Sequence, residues 1–195
     1  MRSKIILASK SKVRKEILDK NNIECVVEPS NVDEDVVKVS LINEKASPEI
    51  ISKNLAELKA NKVSMKKIDE IVLGADSVID LEGELISKPE SRVEAMQILK
   101  KLNGKSHFLI SSVCISKNGS MIWNHSESSE LKMKNFTEKE LSTYLKKIDT
   151  ETLLAYGVYQ VEAEGKELFE YIKGDHESIM GLPIKEIINY IKLIK

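Results

Sequence analysis

The chain has 195 residues, enough to bury a sizeable core, and one domain spanning 1–195 is expected. Its 30 Lys plus Arg against 31 Asp plus Glu leave a formal net charge of -1, which gives no basis for a nucleic-acid or membrane partner. No apolar run approaches the roughly 18 residues of a membrane span, and the four consecutive apolar residues in "MRSKIILASK" are too few for a signal peptide.

Cys25 and Cys114 lie far apart among apolar neighbours, so a cytoplasmic protein with reduced, buried thiols is expected. In chain order, "KIILAS" is a short apolar run leading into "SKVRKEILDKN", where Ser11 can cap a helix that buries Val13, Ile17 and Leu18. "IECVVE" has the β-branched character of a strand. Asp33, Glu34 and Asp35 follow as an acidic cluster in a loop. A helix starts at Ser47-Pro48, with Ile51, Leu55 and Leu58 as its buried stripe, and Lys59 interrupts that face.

Residues 70–79 form an apolar strand that carries Asp76 and is followed by a turn at Gly83. "SRVEAMQILKKLNG" opens with a Ser91–Glu94 capping box and stops at Asn103-Gly104, burying Ala95, Ile98, Leu99 and Leu102. Asn118-Gly119 joins two long extended segments as a hairpin. Thr137 and Glu140 open a helix with Leu141, Tyr144, Leu145 and Ile148, and Pro183 starts a last one with Ile184, Ile187, Ile188 and Ile191. Strands alternating with helices, plus one long hairpin, give an α/β fold: a mixed, twisted sheet flanked by helices.

Common site signatures are missing: a Walker loop, G-x-G-x-x-G, paired Cys or His at zinc spacing, and the G-x-S-x-G elbow. What remains is a set of cations and oxygen ligands at element ends. Ser9, Ser11 and Arg14 sit where a strand meets a helix N-terminus, a natural seat for phosphate. Glu34 and Asp76 are carboxylates suited to a divalent metal, and Lys59 and Lys88 are cations suited to anions. Ordinary alternatives stand beside these: Ser11 as a simple cap, Arg14 and the lysines as surface residues, the acidic loop as solvated, and Asp76 as capping a turn.

The order of motifs resembles the Maf family of nucleoside triphosphate pyrophosphatases over nearly the whole chain. "LASKSKVRKEIL", "NVDED", "LAELKANKV", "VLGADSVIDLEGELISKPE", "LNGKSHFLISSV" and "IKGDHESIMGLPI" follow the family's blocks in sequence. The resemblance implies a Maf/ITPase-like fold and metal-dependent cleavage of a nucleoside triphosphate to monophosphate and pyrophosphate, with Mg²⁺ or Mn²⁺. It implies Asp76 as general base or metal-bound carboxylate and Glu34 at the metal. Ser9, Arg14, Lys59 and Lys88 fall to the triphosphate, with Ser11 beside them as a phosphate candidate from the helix N-terminus. Lys12 and Val13 depart from the family's proline and first arginine, and Ser87 from its glycine before Lys88-Pro89.

"YQVEAEG" offers Gln160 and Glu162 for base recognition. Glu162 aligns with the glutamate of the 7-methyl-GTP-cleaving subgroup, and a carboxylate accepts from the N–H groups of a guanine edge. The amide of Gln160 would suit dTTP or UTP. A non-catalytic nucleotide-binding regulator of cell division and a different phosphohydrolase are the rival functions. A homodimer is compatible with the resemblance.

Overall fold

The computed structural model describes residues 4–194; Met1, Arg2 and Ser3 of the amino-terminal stretch, and Lys195, lie outside the described residues. Strand β1 (Ile5–Leu7) leads into α1 (Lys12–Lys20), then β2 (Cys25–Val27), α2 (Glu34–Asn43) and α3 (Pro48–Ser64). The hairpin β3 (Val72–Leu81)–β4 (Glu84–Ile86) precedes α4 (Arg92–Leu102) and the long hairpin β5 (Ser106–Lys117)–β6 (Ser120–Met133). Helices α5 (Glu138–Lys146) and α6 (Thr150–Tyr156), a 3₁₀ turn (Glu164–Leu168), β7 (Phe169–Lys173), α7 (His176–Ile179) and α8 (Ile184–Leu193) complete the chain.

The strands form one seven-stranded sheet in the order β2-β1-β3-β5-β6-β7, with β4 paired to β3. β1 runs parallel to β2 and β3, and the remaining pairs are antiparallel, so the sheet is mixed as expected. Both hairpin turns place two residues at positive φ, Glu82-Gly83 and Asn118-Gly119, the geometry that matches strand twist.

Along one edge of β3, β1 pairs with Val72 and Leu73 while β4 pairs with Ile79 to Leu81. Among the described residues no strand pairs with the backbone between them on that side, although β5 pairs with Val72 to Asp80 along the other edge. This gap also divides two apolar cores. Ile5, Leu7, Leu73, Ala75, Ile184 and Ile187 gather beneath α1 and α8. Leu81, Ala95, Leu99, Leu141 and Tyr144 gather beneath α4 and α5. Asp76 therefore sits at the seam between the two cores.

Helix α3 lies directly over the start of β3. A Cβ on Gly74 would fall 2.2 Å from the Ala56 carbonyl oxygen and 2.8 Å from the Ala60 nitrogen, so only glycine permits this approach. Ile51 and Leu55 of the expected stripe are buried, and the stripe departs from expectation only at its end. Leu58 is 37% exposed and Lys59, which sequence placed as an interruption, is 6% exposed.

Two other expectations are corrected. Asp33 to Asp35 are not a loop cluster, because Asp33 accepts from the Val36 N–H and caps α2, with Glu34 and Asp35 in its first turn. Carboxylates there suit the positive end of the helix. At α4, Ser91 accepts from the Glu94 N–H, but the Glu94 carboxylate reaches Glu90 N–H rather than closing the box on Ser91. The Thr137–Glu140 box is complete. Cys25 and Cys114 are free thiols, half-buried and buried.

His107 is fully buried in β5. Burial lowers its imidazole from the ordinary 6.5 to about 4. The unfolded chain binds a proton in that window and the folded chain does not, so stability held above 6.5 is lost as the pH falls toward 4. Between pH 7 and pH 5 this group alone should cost about 2 kcal/mol of unfolding free energy. Urea titrations should show that slope, and His107→Gln, which does not titrate, should lack it.

Candidate active site

The β1–α1 junction supplies the first wall. Ser9 Oγ accepts from the Ser11 N–H at 3.2 Å and from Arg14 Nη1 at 3.2 Å, which leaves the Ser9 O–H free to donate outward. Ser11 caps α1 by accepting from the Arg14 N–H, and no acidic residue occupies the first turn to neutralise the helix N-terminus.

Arg14 is committed mostly to the protein. Nε donates to the Gly181 carbonyl at 2.9 Å, Nη1 to the Ala75 carbonyl at 2.8 Å as well as to Ser9, and Nη2 to Ser77 Oγ at 3.1 Å. Four of the five guanidinium N–H groups are thereby used. The Ala75 carbonyl belongs to the strandless edge of β3, so Arg14 replaces a strand partner there. It clamps β1, β3 and the loop before α8 together. Gly181 sits at φ 99°, and a Cβ there would stand 3.3 Å from Arg14 Nε.

The second wall is a charge cluster. Lys59 Nζ donates to Asp76 Oδ1 at 2.8 Å and to Glu34 Oε1 at 2.9 Å. Asp76 is 6% exposed, and its Oδ2 is shielded from solvent with no hydrogen-bond partner among the described residues. Burial pushes its carboxyl above the ordinary range, with Lys59 and Arg14 pulling against that rise and Glu34 adding to it. For Glu34 burial also pushes upward, but Lys59, Lys38 and Lys88 outweigh it and hold the group below its ordinary value.

Lys88 follows β4 and donates to the Ala155 carbonyl of α6 at 2.7 Å. Desolvation lowers its pKa, Arg14 repels it, and Glu34 and Asp76 attract it. Three cations, Arg14, Lys59 and Lys88, thus face two carboxylates, Glu34 and Asp76. The surplus positive charge and the free hydroxyl suit an anionic ligand, and the orphaned Asp76 oxygen requires a partner.

All seven of these predicted residues meet at the gap in β3. Gln160 and Glu162 lie apart from the charge cluster, on the segment after α6. Gln160 is half-buried and lines a cavity of about 220 Å³ with Tyr144, Lys147, Asp149 and Thr152. Glu162 is exposed and makes no hydrogen bond or ion pair among the described residues. A larger cavity of about 530 Å³ beside α5 holds Lys147, but that lysine already pairs with Glu164 and Glu167, so chemistry rather than volume selects the site.

Sequence reasoning missed Ser52, Ser77 and Gly181. Ser52 Oγ donates to the Asp76 carbonyl at 3.3 Å, and Ser77 Oγ is 2.9 Å from Ser111 Oγ as well as accepting from Arg14. Ser77 stands next to Asp76 and Gly181 within the "GLP" block, but nothing local marked either as an Arg14 partner.

The model of the family described as "Maf-like protein" matches residues 4–194. The chain belongs to the Maf family. Among Maf-family relatives, a "Nucleoside triphosphate pyrophosphatase" of Pelagibacter ubique is 65% identical over the full length of both chains. A protein of the same description from Ruegeria sp. is 39% identical over 99% of this chain and 97% of its own. A "7-methyl-GTP pyrophosphatase" of Bartonella quintana is 37% identical, covering 96% of this chain and 94% of its own. Among the described residues no helix is long and apolar enough to cross a membrane.

Proposed function

We propose that the chain hydrolyses a nucleoside triphosphate to the monophosphate and pyrophosphate with the help of a divalent cation, and that it favours a 7-methylguanine base. The observation that carries the reaction is Asp76: a carboxylate buried at a break in the sheet, one oxygen tied to Lys59 and the other without a partner among the described residues. The descriptions of the relatives support the reaction class, and the Bartonella quintana protein supports the base.

Among the described residues there is no cluster of three or more His, Cys, Asp or Glu that would hold a metal alone. The donor set nevertheless fits Mg²⁺ or Mn²⁺, which commonly take one or two carboxylates and leave the rest to water and substrate phosphates. Asp76 Oδ2 and Glu34 would hold it. Bound there, the cation would offset charge on the phosphate oxygens.

The protein's own groups do the remaining work. Ser9, Ser11, the N-terminus of α1 and Lys88 hold the triphosphate, and Arg14 fixes the shape of that seat while adding positive field. Lys59 orients Asp76 through Oδ1. Where Glu34 alone holds the cation, Asp76 Oδ2 is the oxygen left to accept a proton from the water that attacks the α-phosphorus; where Asp76 also holds the cation, its role is to fix metal and water in place. Pyrophosphate departs with its charge met by Lys88 and Lys59. Gln160 and Glu162 read the base, Glu162 by accepting from guanine N–H groups.

The test is product analysis on GTP, 7-methyl-GTP, UTP and dTTP with Mg²⁺ or Mn²⁺. Pyrophosphate and monophosphate should appear in equal amounts, vanish on chelation and return when metal is restored. Orthophosphate as the first product, or no turnover of any nucleotide, would contradict the reaction. Turnover of UTP or dTTP equal to that of 7-methyl-GTP would overturn the base preference.

A further inference from the structure

His107 and Tyr159 form a polar pair inside an otherwise apolar core. His107 is fully buried and Tyr159 is 7% exposed, and His107 Nε2 lies 2.8 Å from the Tyr159 hydroxyl. The rings also pack: His107 is 5.7 Å from Tyr159 and 5.9 Å from Phe169, and Tyr159 meets Phe169 edge-on at 4.9 Å and 83°. The other imidazole nitrogen, Nδ1, has no partner among the described residues. A leucine and a phenylalanine would fill this volume without burying unsatisfied polar atoms, so packing alone does not explain the pair. A hydrogen bond adds direction, which fixes where the Tyr159 backbone must lie.

That backbone leads straight into Gln160. The residue before Tyr159 is held too, because the Tyr144 hydroxyl donates to the Val158 carbonyl at 3.1 Å. The residues after it fold back tightly. The Ala163 N–H donates to the Gln160 carbonyl at 3.1 Å. A Cβ on Gly165 would stand 2.5 Å from that same carbonyl oxygen. From Val158 to Gly165 the chain belongs to no strand, so these fixings take the place of sheet hydrogen bonds. Gln160 and Glu162 project from a segment anchored at its inner side by Tyr159.

We infer that the His107–Tyr159 hydrogen bond positions the segment carrying Gln160 and Glu162, so that both are positioning residues for discrimination between nucleobases. The inference rests on the assignment of Gln160 and Glu162 to base recognition. It predicts a fault confined to base selection, because neither residue touches the charge cluster at Asp76.

The experiment compares kcat/KM for 7-methyl-GTP and UTP in Tyr159→Phe, His107→Leu and His107→Gln, with ribose 5-triphosphate, which lacks a base, as the control substrate. Loss of one directed hydrogen bond should shrink the preference by roughly 3- to 10-fold. The change should fall in KM, with kcat and turnover of ribose 5-triphosphate unchanged. His107→Gln, whose amide can reach the phenol, should keep the preference. Gln160→Ala and Glu162→Ala are measured alongside. If those two change the preference while folded Tyr159→Phe and His107→Leu do not, the inference falls and base recognition stands. If none of the four changes it, base recognition falls and takes the inference with it. Equal losses on all three substrates would mark a general structural role and also overturn the inference.

Discussion

Asp76→Asn should abolish pyrophosphate release, by roughly 10²- to 10⁴-fold in kcat, the range typical of losing a proton-transfer group. The fold should survive. Lys59 keeps Glu34 at 2.9 Å, and asparagine removes a buried charge while preserving volume. A stability change of about 1 kcal/mol in either direction is expected. Steady-state assay paired with thermal melting checks both halves. A folded Asp76→Asn chain with ordinary turnover would remove Asp76 from the reaction.

Lys59→Met should be the most damaging single change to stability. It leaves Asp76 buried with neither oxygen paired to a cation, since Oδ2 is already alone and Oδ1 depends on Lys59. Breaking a buried pair from one side costs about 3–5 kcal/mol. The remaining carboxyl should take up a proton, giving a folded pKa above the unfolded one. Stability of Lys59→Met should therefore improve as the pH is lowered and fall as it rises. Combining Lys59→Met with Asp76→Asn should recover a large part of the loss, because the stranded charge is gone. Urea denaturation of the two single variants and the double variant measures the coupling, and simple addition of the two costs would show that the pair is not energetically linked.

The ends and faces of several elements were legible: Ser11, Ser47 and Thr137 as caps, Asn118-Gly119 as a turn, and the isoleucines of α8 as a stripe. Such features depend on residues close in the chain. Helix α2 was not legible, because Val36, Val39 and Ile42 are all exposed and none of its residues is fully buried. It carries the Asp33 cap, contacts α3 and is joined to it by the Glu34–Lys59 ion pair.

The candidate site shows the same division. Its residue types were visible in order along the chain, but their connections were not. Arg14 bonds to residues 61, 63 and 167 positions away, and local spacing carries no sign of that clamp. Lys59 looked like a flaw in an apolar face. It became the link between two carboxylates because Gly74 allows α3 to settle onto β3, a close approach that depends on the fold as a whole.

Water attack at the α-phosphorus, assisted by Asp76, is the central claim, and hydrolysis in H₂¹⁸O tests it most directly. A single turnover on 7-methyl-GTP should place the ¹⁸O in the nucleoside monophosphate and leave the pyrophosphate unlabelled. Label in the pyrophosphate, or in released orthophosphate, would mean attack at another phosphorus and would contradict the account.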